Sequence, residues 1–256
     1  MLFDSRSRQI TSNPQHKAVV VLPTYNEVGS IQSVVTGILD QQTEISTHAL
    51  HILVVDSRST DGTLEQLAEL QKKHATVSLL DCPQRGLGRA YSVGFQHAMD
   101  QLNPDLIIQM DCDGQHDPAN IPMFIHIIQH GFDCVIGSRF VSGSQMVRFS
   151  RYRTLISTLG NGLIRWSGRI AIRDCTSGYR CIRASILKQC QFSRFRTTGY
   201  SFQSSLVSEL TRRNARVMEY PIIFDERAHG VSKLRMADKW DFMLNVLFIF
   251  MNRWRR

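Results

Sequence analysis

The chain has 256 residues, of which 43% are hydrophobic and 9% aromatic, and it carries a formal net charge of +8 with a sequence pI of ≈ 9.4. This composition is sufficient for a packed core and excludes wholesale disorder. No apolar run is long enough to span a bilayer. The polar N-terminus lacks the apolar core of a signal peptide, so we do not expect export. The six cysteines include no C-x-x-C pair, so we expect reduced thiols in a cytosolic protein.

Short β-branched runs alternate with helical periods in the first half of the chain. This pattern is typical of a mostly parallel sheet with crossover helices, an α/β fold. Residues 1–16 precede the pattern, and we expect them to form a flexible tail. The predicted strands cover 18–22, 51–55, 77–80, 106–110 and 134–137, and the predicted helices begin near positions 30, 60, 88 and 118.

The second half of the chain is strongly basic. Residues 129–256 contain 22 basic and 8 acidic residues, against 8 basic and 14 acidic in residues 1–128. Seven arginines interleaved with apolar residues lie within 139–173 and predict a loop followed by an amphipathic helix. A basic surface of this kind suits nucleic acid, an anionic membrane or a phosphorylated substrate.

Later elements are predicted from weaker patterns. We expect strands within 178–182 and 216–223, a helix over 201–213, and a C-terminal amphipathic helix within 235–256. That last helix is too short and too interrupted by charge to cross a bilayer. It either lies in the membrane interface or packs against the domain. We therefore expect one domain over 17–234 followed by this helix.

Acidic and polar residues follow three of the predicted strands. Asp111 and Asp113 come directly after the fourth strand, and Asp56 follows the second. Tyr25 and Glu27 follow the first strand, where an aromatic ring could stack on a nucleobase and a carboxylate could accept from its edge. Ligands of open α/β sheets bind at the carboxyl ends of the strands, and paired carboxylates suit Mg²⁺. Alone, each motif is equally compatible with a solvated turn.

Taken in order, these motifs resemble the family-2 glycosyltransferases, and later motifs narrow the resemblance to the dolichol-phosphate mannose synthase branch. The segments that carry the resemblance are 23–27, 56–63, 111–116, 137–140, 174–180 and 224–234. The resemblance implies a GT-A fold, which is a Rossmann-like, mostly parallel sheet with helices on both faces. It also implies an inverting glycosyltransferase that uses a nucleotide-sugar and a divalent cation, Mg²⁺ or Mn²⁺.

The resemblance assigns roles to individual residues of this chain. It places the nucleotide-sugar against Pro23, Tyr25, Glu27, Asp56, Asp111 and Gln115. It places the metal on Asp111, Asp113 and Gln115, with Asp113, Arg227 and Lys233 as catalytic residues. It places the acceptor phosphate against Arg139, Arg153 and Ser157. One position departs from the family pattern, because Ser57 follows Asp56 where a second Asp is usual.

The stretch 197–202 contains no carboxylate, although most relatives have a catalytic base there. A sugar hydroxyl acceptor needs such a base, whereas a phosphate monoester is already largely dianionic at neutral pH. The missing acid therefore favours a phosphate acceptor. Together with the resemblance, it predicts transfer of mannose from GDP-mannose to a polyprenyl or dolichyl monophosphate.

The expected partners are the nucleotide-sugar, the polyprenyl phosphate and a membrane surface, and a membrane-anchoring subunit is compatible with them. We expect the protein to lie peripherally at the cytoplasmic face of a membrane. The main alternative is a transferase of the same fold that uses UDP-glucose or UDP-N-acetylglucosamine. More distant alternatives are a nucleic-acid-binding protein and a non-catalytic scaffold. The basic half lacks zinc-finger, RNP-like and helix-turn-helix patterns, so we expect no nucleic acid partner.

Overall fold

A computed structural model describes residues 16–147, 151–195, 199, 201–225 and 236–253. Its strands are β1 His16–Thr24, β2 His48–Asp56, β3 Val77–Asp81, β4 Leu106–Gln109, β5 Cys134–Ser138, β6 Gln145–Met146, β7 Arg180–Arg183, β8 Val217–Pro221 and β9 Ile223–Phe224. Its α-helices are α1 Ile31–Asp40, α2 Thr63–Lys73, α3 Leu87–His97, α4 Ile121–Gln129, α5 Arg151–Gly168, α6 Ala184–Leu187, α7 Phe202–Arg212 and α8 Met236–Asn252.

Seven of these strands form one sheet in the order β3-β2-β1-β4-β7-β5-β8. Strands β1 to β4 are parallel to one another, and β8 is parallel to β5. Only β7 among these seven runs antiparallel to its neighbours, β4 and β5. Strands β6 and β9 pair separately. The structure therefore confirms the predicted α/β class with a mostly parallel sheet.

Both faces of the sheet are buried. Along β1, Val20 and Leu22 point into one apolar cluster and Val19 and Val21 into the other, because successive side chains of a strand alternate. Helices α1, α2 and α4 cover the first cluster, and α3, α5, α7 and α8 cover the second. Burial on both faces explains why the strand is a continuous apolar run in the sequence.

Two predicted boundaries were wrong. His16, assigned to the tail, is the first residue of β1, and the rest of the tail lies outside the described residues. The predicted strand over 216–223 is two strands, β8 and β9, which belong to different sheets. The chain leaves the large sheet at Pro221, which has no amide hydrogen to continue a ladder. The proposed division into tail, domain and C-terminal helix stays a prediction.

Helix α8 packs against α5. A Cβ atom at Gly168 would lie 2.9 Å from Ile249 Cγ2, so the absence of a side chain at 168 permits this close approach. Trp166 of α5 stacks on Phe250 of α8 with ring centroids 5.7 Å apart. The opposite face of α8 is exposed, with Trp240 70% accessible. No helix within the described residues is both long and apolar enough to cross a membrane.

Candidate active site

A cleft of ≈ 180 Å³ opens at the carboxyl ends of β1 and β4. Strand β1 lies between β2 and β4, so the chain connections diverge on its two sides, which is where open α/β sheets form their binding crevice. The cleft walls come from three strand ends and the start of α3. Residues in these walls include Pro23, Tyr25, Glu27, Ser57, Arg85, Asp111 and Asp113.

The structure brings most of the predicted donor-site residues to this cleft. Five of the predicted positions line it: Pro23, Tyr25, Glu27, Asp111 and Asp113. Asp56 and Gln115 are not among the lining residues, although Asp56 directly precedes Ser57, which lines the cleft. Arg227 and Lys233 lie outside the described residues.

The loops after β1 and β2 are joined by hydrogen bonds between side chains and backbone. The amide of Asn26 donates to Ser59 Oγ at 2.9 Å, and the amide of Thr60 donates to Asn26 Oδ1 at 2.9 Å. The amide of Glu27 donates to Thr63 Oγ1 at 3.0 Å. Asn26 has a φ of 54°, a left-handed conformation that asparagine tolerates better than most residues. These contacts set the position of Glu27 at the edge of the cleft.

Asp56 is 3% exposed and is engaged inside its own loop. Its carboxylate accepts hydrogen bonds from the amide and the hydroxyl of Ser59. The amide of Ser57 donates to Thr24 O at 2.9 Å, which places Ser57 at the cleft between the first two strands. In this structure Asp56 therefore supports the wall of the cleft without lining it.

The loop after β4 begins with Asp111, whose backbone is held by a buried histidine. The Asp111 amide donates to His116 Nδ1 at 3.0 Å, and the His116 ring stacks on Tyr179 with centroids 4.9 Å apart. Burial lowers the pKa of His116 below its usual value. A neutral ring with an unprotonated Nδ1 is the form that accepts this bond.

Asp113 and Gln115 occupy the tight turn that follows. Asp113 Oδ1 accepts from the amide of Gln115 at 3.1 Å, and Gly114 between them has a φ of +79°. Gln115 Nε2 donates to the carbonyl oxygen of Asp225 at 2.7 Å, beyond the end of β9. The turn directs Asp113 into the cleft and links it to the segment that leads toward Arg227.

The oxygen donors of Asp111 and Asp113 fit a hard divalent cation. No group of three or more His, Cys, Asp or Glu residues among the described side chains is arranged to hold a metal. Two carboxylates on one loop suit an ion such as Mg²⁺, which takes its other ligands from water and substrate phosphates. A Cβ atom at Gly178 would lie 2.8 Å from Asp111 Oδ2, so this glycine leaves the carboxylate its space.

The sequence analysis missed the guanidinium group at the mouth of the cleft. Arg85 lies over the ring of Tyr25, with its Cζ 4.2 Å from the ring centroid, and both residues line the cleft. An arginine and an aromatic ring at one wall can contact a nucleobase and its phosphates. The residue follows β3, and no acidic or aromatic pattern in the sequence marks it.

Arg139, one of the predicted acceptor-phosphate residues, is paired with a buried carboxylate. Its Nε and Nη2 atoms each donate to Asp174 at 2.8 Å, and Nη2 also donates to Thr176 Oγ1 at 2.8 Å. The Asp174 side chain is completely buried. Because this bidentate pair balances the arginine charge, Arg139 has less attraction for an acceptor phosphate than an unpaired guanidinium would have.

Helix α5 reaches the same region through Asn161. Asn161 Nδ2 donates to Ser157 O at 3.0 Å and to Thr176 Oγ1 at 3.2 Å, while its Oδ1 accepts from the amide of Cys175 at 2.8 Å. The turn that carries Ser157 is therefore tied to the loop that holds Arg139. Arg153 lies one turn earlier on α5, and its side chain is outside the described part of the structure.

The sequence matches a family model along most of this domain. The model described as glycosyl transferase family 2 matches residues 19–190, a segment that contains the cleft, the Asp111 loop and Asp174. The chain belongs to glycosyltransferase family 2. The resemblance found in the sequence is thereby confirmed, and the protein is a glycosyltransferase.

Curated relatives cover nearly the whole chain. It is 32% identical to an undecaprenyl-phosphate mannosyltransferase of Micrococcus luteus, over 90% of this chain and 92% of that protein. It is 31% identical to a polyprenol monophosphomannose synthase of Mycolicibacterium smegmatis, over 92% of this chain and 88% of that protein.

A solved structure shares the fold. Glucosyl-3-phosphoglycerate synthase of Mycobacterium tuberculosis, crystallised with Mn²⁺, UDP-glucose and glycerol 3-phosphate, is 19% identical with a TM-score of 0.63. The similarity covers 93% of this chain and 80% of that one. At this identity the likeness shows the fold, and it confirms the GT-A architecture of this glycosyltransferase.

Proposed function

We propose that this glycosyltransferase moves mannose from GDP-mannose to a polyprenyl monophosphate. The observation that carries the proposal is that two curated relatives, matched along about nine-tenths of their length, are by name enzymes of polyprenyl-phosphate mannose synthesis. The absence of a carboxylate from 197–202 supports the same acceptor, because a phosphate needs no base to become a nucleophile.

The cleft wall that holds Tyr25 and Arg85 is our proposed nucleotide side. The base would stack against this pair, with Glu27 accepting hydrogen bonds from the base edge and Pro23 packing beside it. Asp56 would act on the ribose through the loop that it shapes. These roles use an aromatic face and a carboxylate for recognition and leave the Asp111 loop to the diphosphate.

Asp111 and Asp113 are our proposed ligands for Mg²⁺ or Mn²⁺, with Gln115 beside them. When bound, the divalent cation supplies positive charge that stabilises the departing diphosphate. Arg227 and Lys233 are proposed to add cationic groups to the same leaving group. The two aspartates come from one loop, so a single segment would orient the sugar diphosphate.

The reaction would be a single displacement. A phosphate oxygen of the acceptor attacks C1 of mannose while the bond from C1 to the donor diphosphate breaks, and GDP leaves with the electron pair. This inverts C1 and makes a β-linked product from an α-linked donor. We propose Arg153 and Ser157, one turn apart on α5, as groups that hold the acceptor phosphate beside Arg139.

We further propose that the enzyme works at a membrane surface. The packed helices α5 and α8 carry nine exposed apolar residues, here together called the apolar face: Leu155, Ile156, Leu159, Trp166, Trp240, Met243, Leu244, Leu247 and Met251. Such a face suits the boundary between headgroups and acyl chains, or a membrane-anchoring subunit. All six cysteines are buried and unpaired, which supports the reducing, cytoplasmic side of that membrane.

A transfer assay tests the proposal. Purified protein is incubated with polyprenyl phosphate, Mg²⁺ or Mn²⁺, and radiolabelled GDP-mannose, UDP-glucose or UDP-N-acetylglucosamine, and label is followed into organic solvent. We expect extraction of label only from GDP-mannose. Replacement Asp113→Asn should lower kcat/KM by about 100-fold or more, because the diphosphate loses a metal ligand.

The matched control is Asp117→Asn on the same loop. The Asp117 side chain caps a short helical turn by accepting from the amide of Ala119 at 2.9 Å, and it does not line the cleft. This variant should keep its transfer rate. If label is transferred from a UDP-sugar instead, GDP-mannose is not the donor. If label is transferred from none of the three donors, the proposed function is overturned.

A further inference from the structure

Asp111 has a hydrogen-bond partner that comes from another element. Tyr91 lies on α3, and its hydroxyl donates to Asp111 Oδ1 at 2.6 Å. The tyrosine is fully buried, and its ring packs against Phe95 and Phe202 with centroids 5.6 and 6.0 Å away. The aromatic surroundings of Tyr91 therefore exclude solvent and hold its ring in place beside the Asp111 carboxylate.

Two glycines set the position of α3 and hence of Tyr91. A Cβ atom at Gly94 would lie 2.7 Å from Val21 and 2.8 Å from Val55, so this turn of the helix sits directly on β1 and β2. A Cβ atom at Gly88 would lie 2.6 Å from Phe202 Cβ, so the preceding turn sits directly on α7. The helix that carries the hydroxyl is thus packed closely on two sides.

We propose that Tyr91 is a positioning residue that orients the Asp111 carboxylate toward the cation and the sugar diphosphate. The last torsion of an aspartate side chain has a broad minimum, so the carboxylate needs an external contact to take one orientation. Tyr91 supplies that contact at Oδ1, and Gly178 leaves room at Oδ2. This inference rests on the metal site of the proposed function.

The chemistry of the donor suits this role. The Tyr91 hydroxyl is a neutral donor, because a phenol is protonated at neutral pH. A neutral donor holds the Asp111 carboxylate without cancelling its charge. The Asp174 carboxylate differs, because its charge is balanced by the guanidinium of Arg139. The contact with Tyr91 therefore adds no positive charge that would compete with a cation for Asp111.

The experiment measures metal binding without turnover. Mn²⁺ is titrated into the full chain by electron paramagnetic resonance in the presence of GDP, with UDP in a parallel titration. We expect Tyr91→Phe to weaken Mn²⁺ binding about 10-fold, the lower end of the effect seen when a group supporting a metal ligand is lost. Transfer at saturating Mn²⁺ should return close to the wild-type rate, because the ligand itself remains.

The control is Tyr220→Phe, which removes a tyrosine hydroxyl on β8 at a residue that does not line the cleft. Its Mn²⁺ affinity should equal that of the wild type. Gly178→Ala should also weaken Mn²⁺ binding, because its methyl group would crowd Asp111 Oδ2. Thermal unfolding of every variant separates these effects from loss of the fold.

The outcomes are distinguishable. If the wild type binds Mn²⁺ and Tyr91→Phe binds it equally well, the role of Tyr91 is overturned and the metal site stands. If the wild type binds no Mn²⁺ with either nucleotide, the metal site of the proposed function is overturned, and the role of Tyr91 with it.

Discussion

Asp174 is buried in the loop that leads into β7, and the only charged side chain that donates to its carboxylate among the described residues is Arg139. Burial by itself raises the pKa of a carboxyl group. The Arg139 charge and its hydrogen bonds outweigh this effect, so the pKa of Asp174 lies below its usual value. A lowered folded-state pKa means that the ionised pair stabilises the fold at neutral pH.

The first prediction concerns this ion pair. Asp174→Asn should reduce the free energy of unfolding by about 3–5 kcal/mol at pH 7, because it leaves the largely buried guanidinium of Arg139 without a counter-charge. In the wild type, the contribution is present above the pKa of an unfolded aspartate and is lost as pH falls through the lowered pKa. Urea unfolding of both proteins at pH 7 and below pH 4 measures the difference.

The matched control is Glu69→Gln, which removes the exposed pair between Lys72 and Glu69. Solvent-exposed pairs contribute little to stability, so this variant should unfold almost like the wild type. Equal losses in the two variants, or an Asp174→Asn protein whose stability deficit does not shrink in acid, would contradict the assignment.

At the scale of the secondary-structure elements, α8 carries a polar residue on its buried face. Asn245 is 1% exposed, and its Nδ2 donates to Ser204 Oγ at 2.8 Å and to Ser201 O at 3.1 Å. Ser205 Oγ donates to Asn245 Oδ1 at 2.8 Å. In the sequence, Asn245 only interrupts an apolar stripe. In the structure it joins α8 to α7, while Val246 and Ile249 pack into the apolar cluster beneath.

The second prediction concerns the attachment of α8. Asn245→Ala should lower the free energy of unfolding by about 1–3 kcal/mol, because buried serine hydroxyls lose a partner. Hydrogen exchange of the α8 amides should become faster, while exchange in β1 should change little. Mass-spectrometric hydrogen exchange under native conditions measures both.

Asn252→Ala provides the control on the same helix. Asn252 Nδ2 donates to Phe248 O, one turn earlier in α8, so the hydrogen bond that this replacement removes lies within α8. This variant should leave α8 exchange near the wild-type rate. Faster α8 exchange in both variants would indicate that Asn245 acts through the helix itself.

At the scale of the whole molecule, the proposed acceptor residues and the apolar face share helix α5. The face is exposed at Leu155 and Leu159, and Asn161 ties the turn around Ser157 to Thr176, which also accepts from Arg139. In the proposed reaction, a lipid with its chain against this face presents its phosphate beside the loops at the end of β5. The proposed nucleotide cleft lies at the ends of β1 and β4.

The third prediction concerns this apolar face. The double replacement Leu159→Glu and Leu247→Glu should reduce binding to vesicles that contain phosphatidylglycerol at least tenfold, because two exposed apolar contacts become acidic. Sedimentation with vesicles of phosphatidylglycerol and phosphatidylcholine measures bound protein.

The control is Met123→Glu, which places one acidic residue on the exposed side of α4, a helix that covers the opposite sheet face. Its vesicle binding should match the wild type. If both proteins lose binding equally, net charge rather than the apolar face determines membrane attachment.

Much of the fold was predictable because it depends on local patterns. Continuous apolar runs such as 18–22 mark strands buried on both faces, and the polar residues after them mark the carboxyl ends of the sheet. The antiparallel direction of β7 was not predicted, because hydrophobic patterning does not encode strand direction. The division of 216–223 into β8 and β9 also depends on which sheet each half joins.

The sequence by itself determined the α/β class, the family and the grouping of Tyr25, Glu27, Asp111 and Asp113 near one sheet edge. These features could be predicted because each strand end and its motif is a short continuous segment of the sequence. Only the tertiary structure decided the partners of those groups: Tyr91 for Asp111, Asp174 for Arg139, and α7 for Asn245. These partners are 20 or more residues apart, so their meeting depends on strand register and helix packing, which no local pattern specifies.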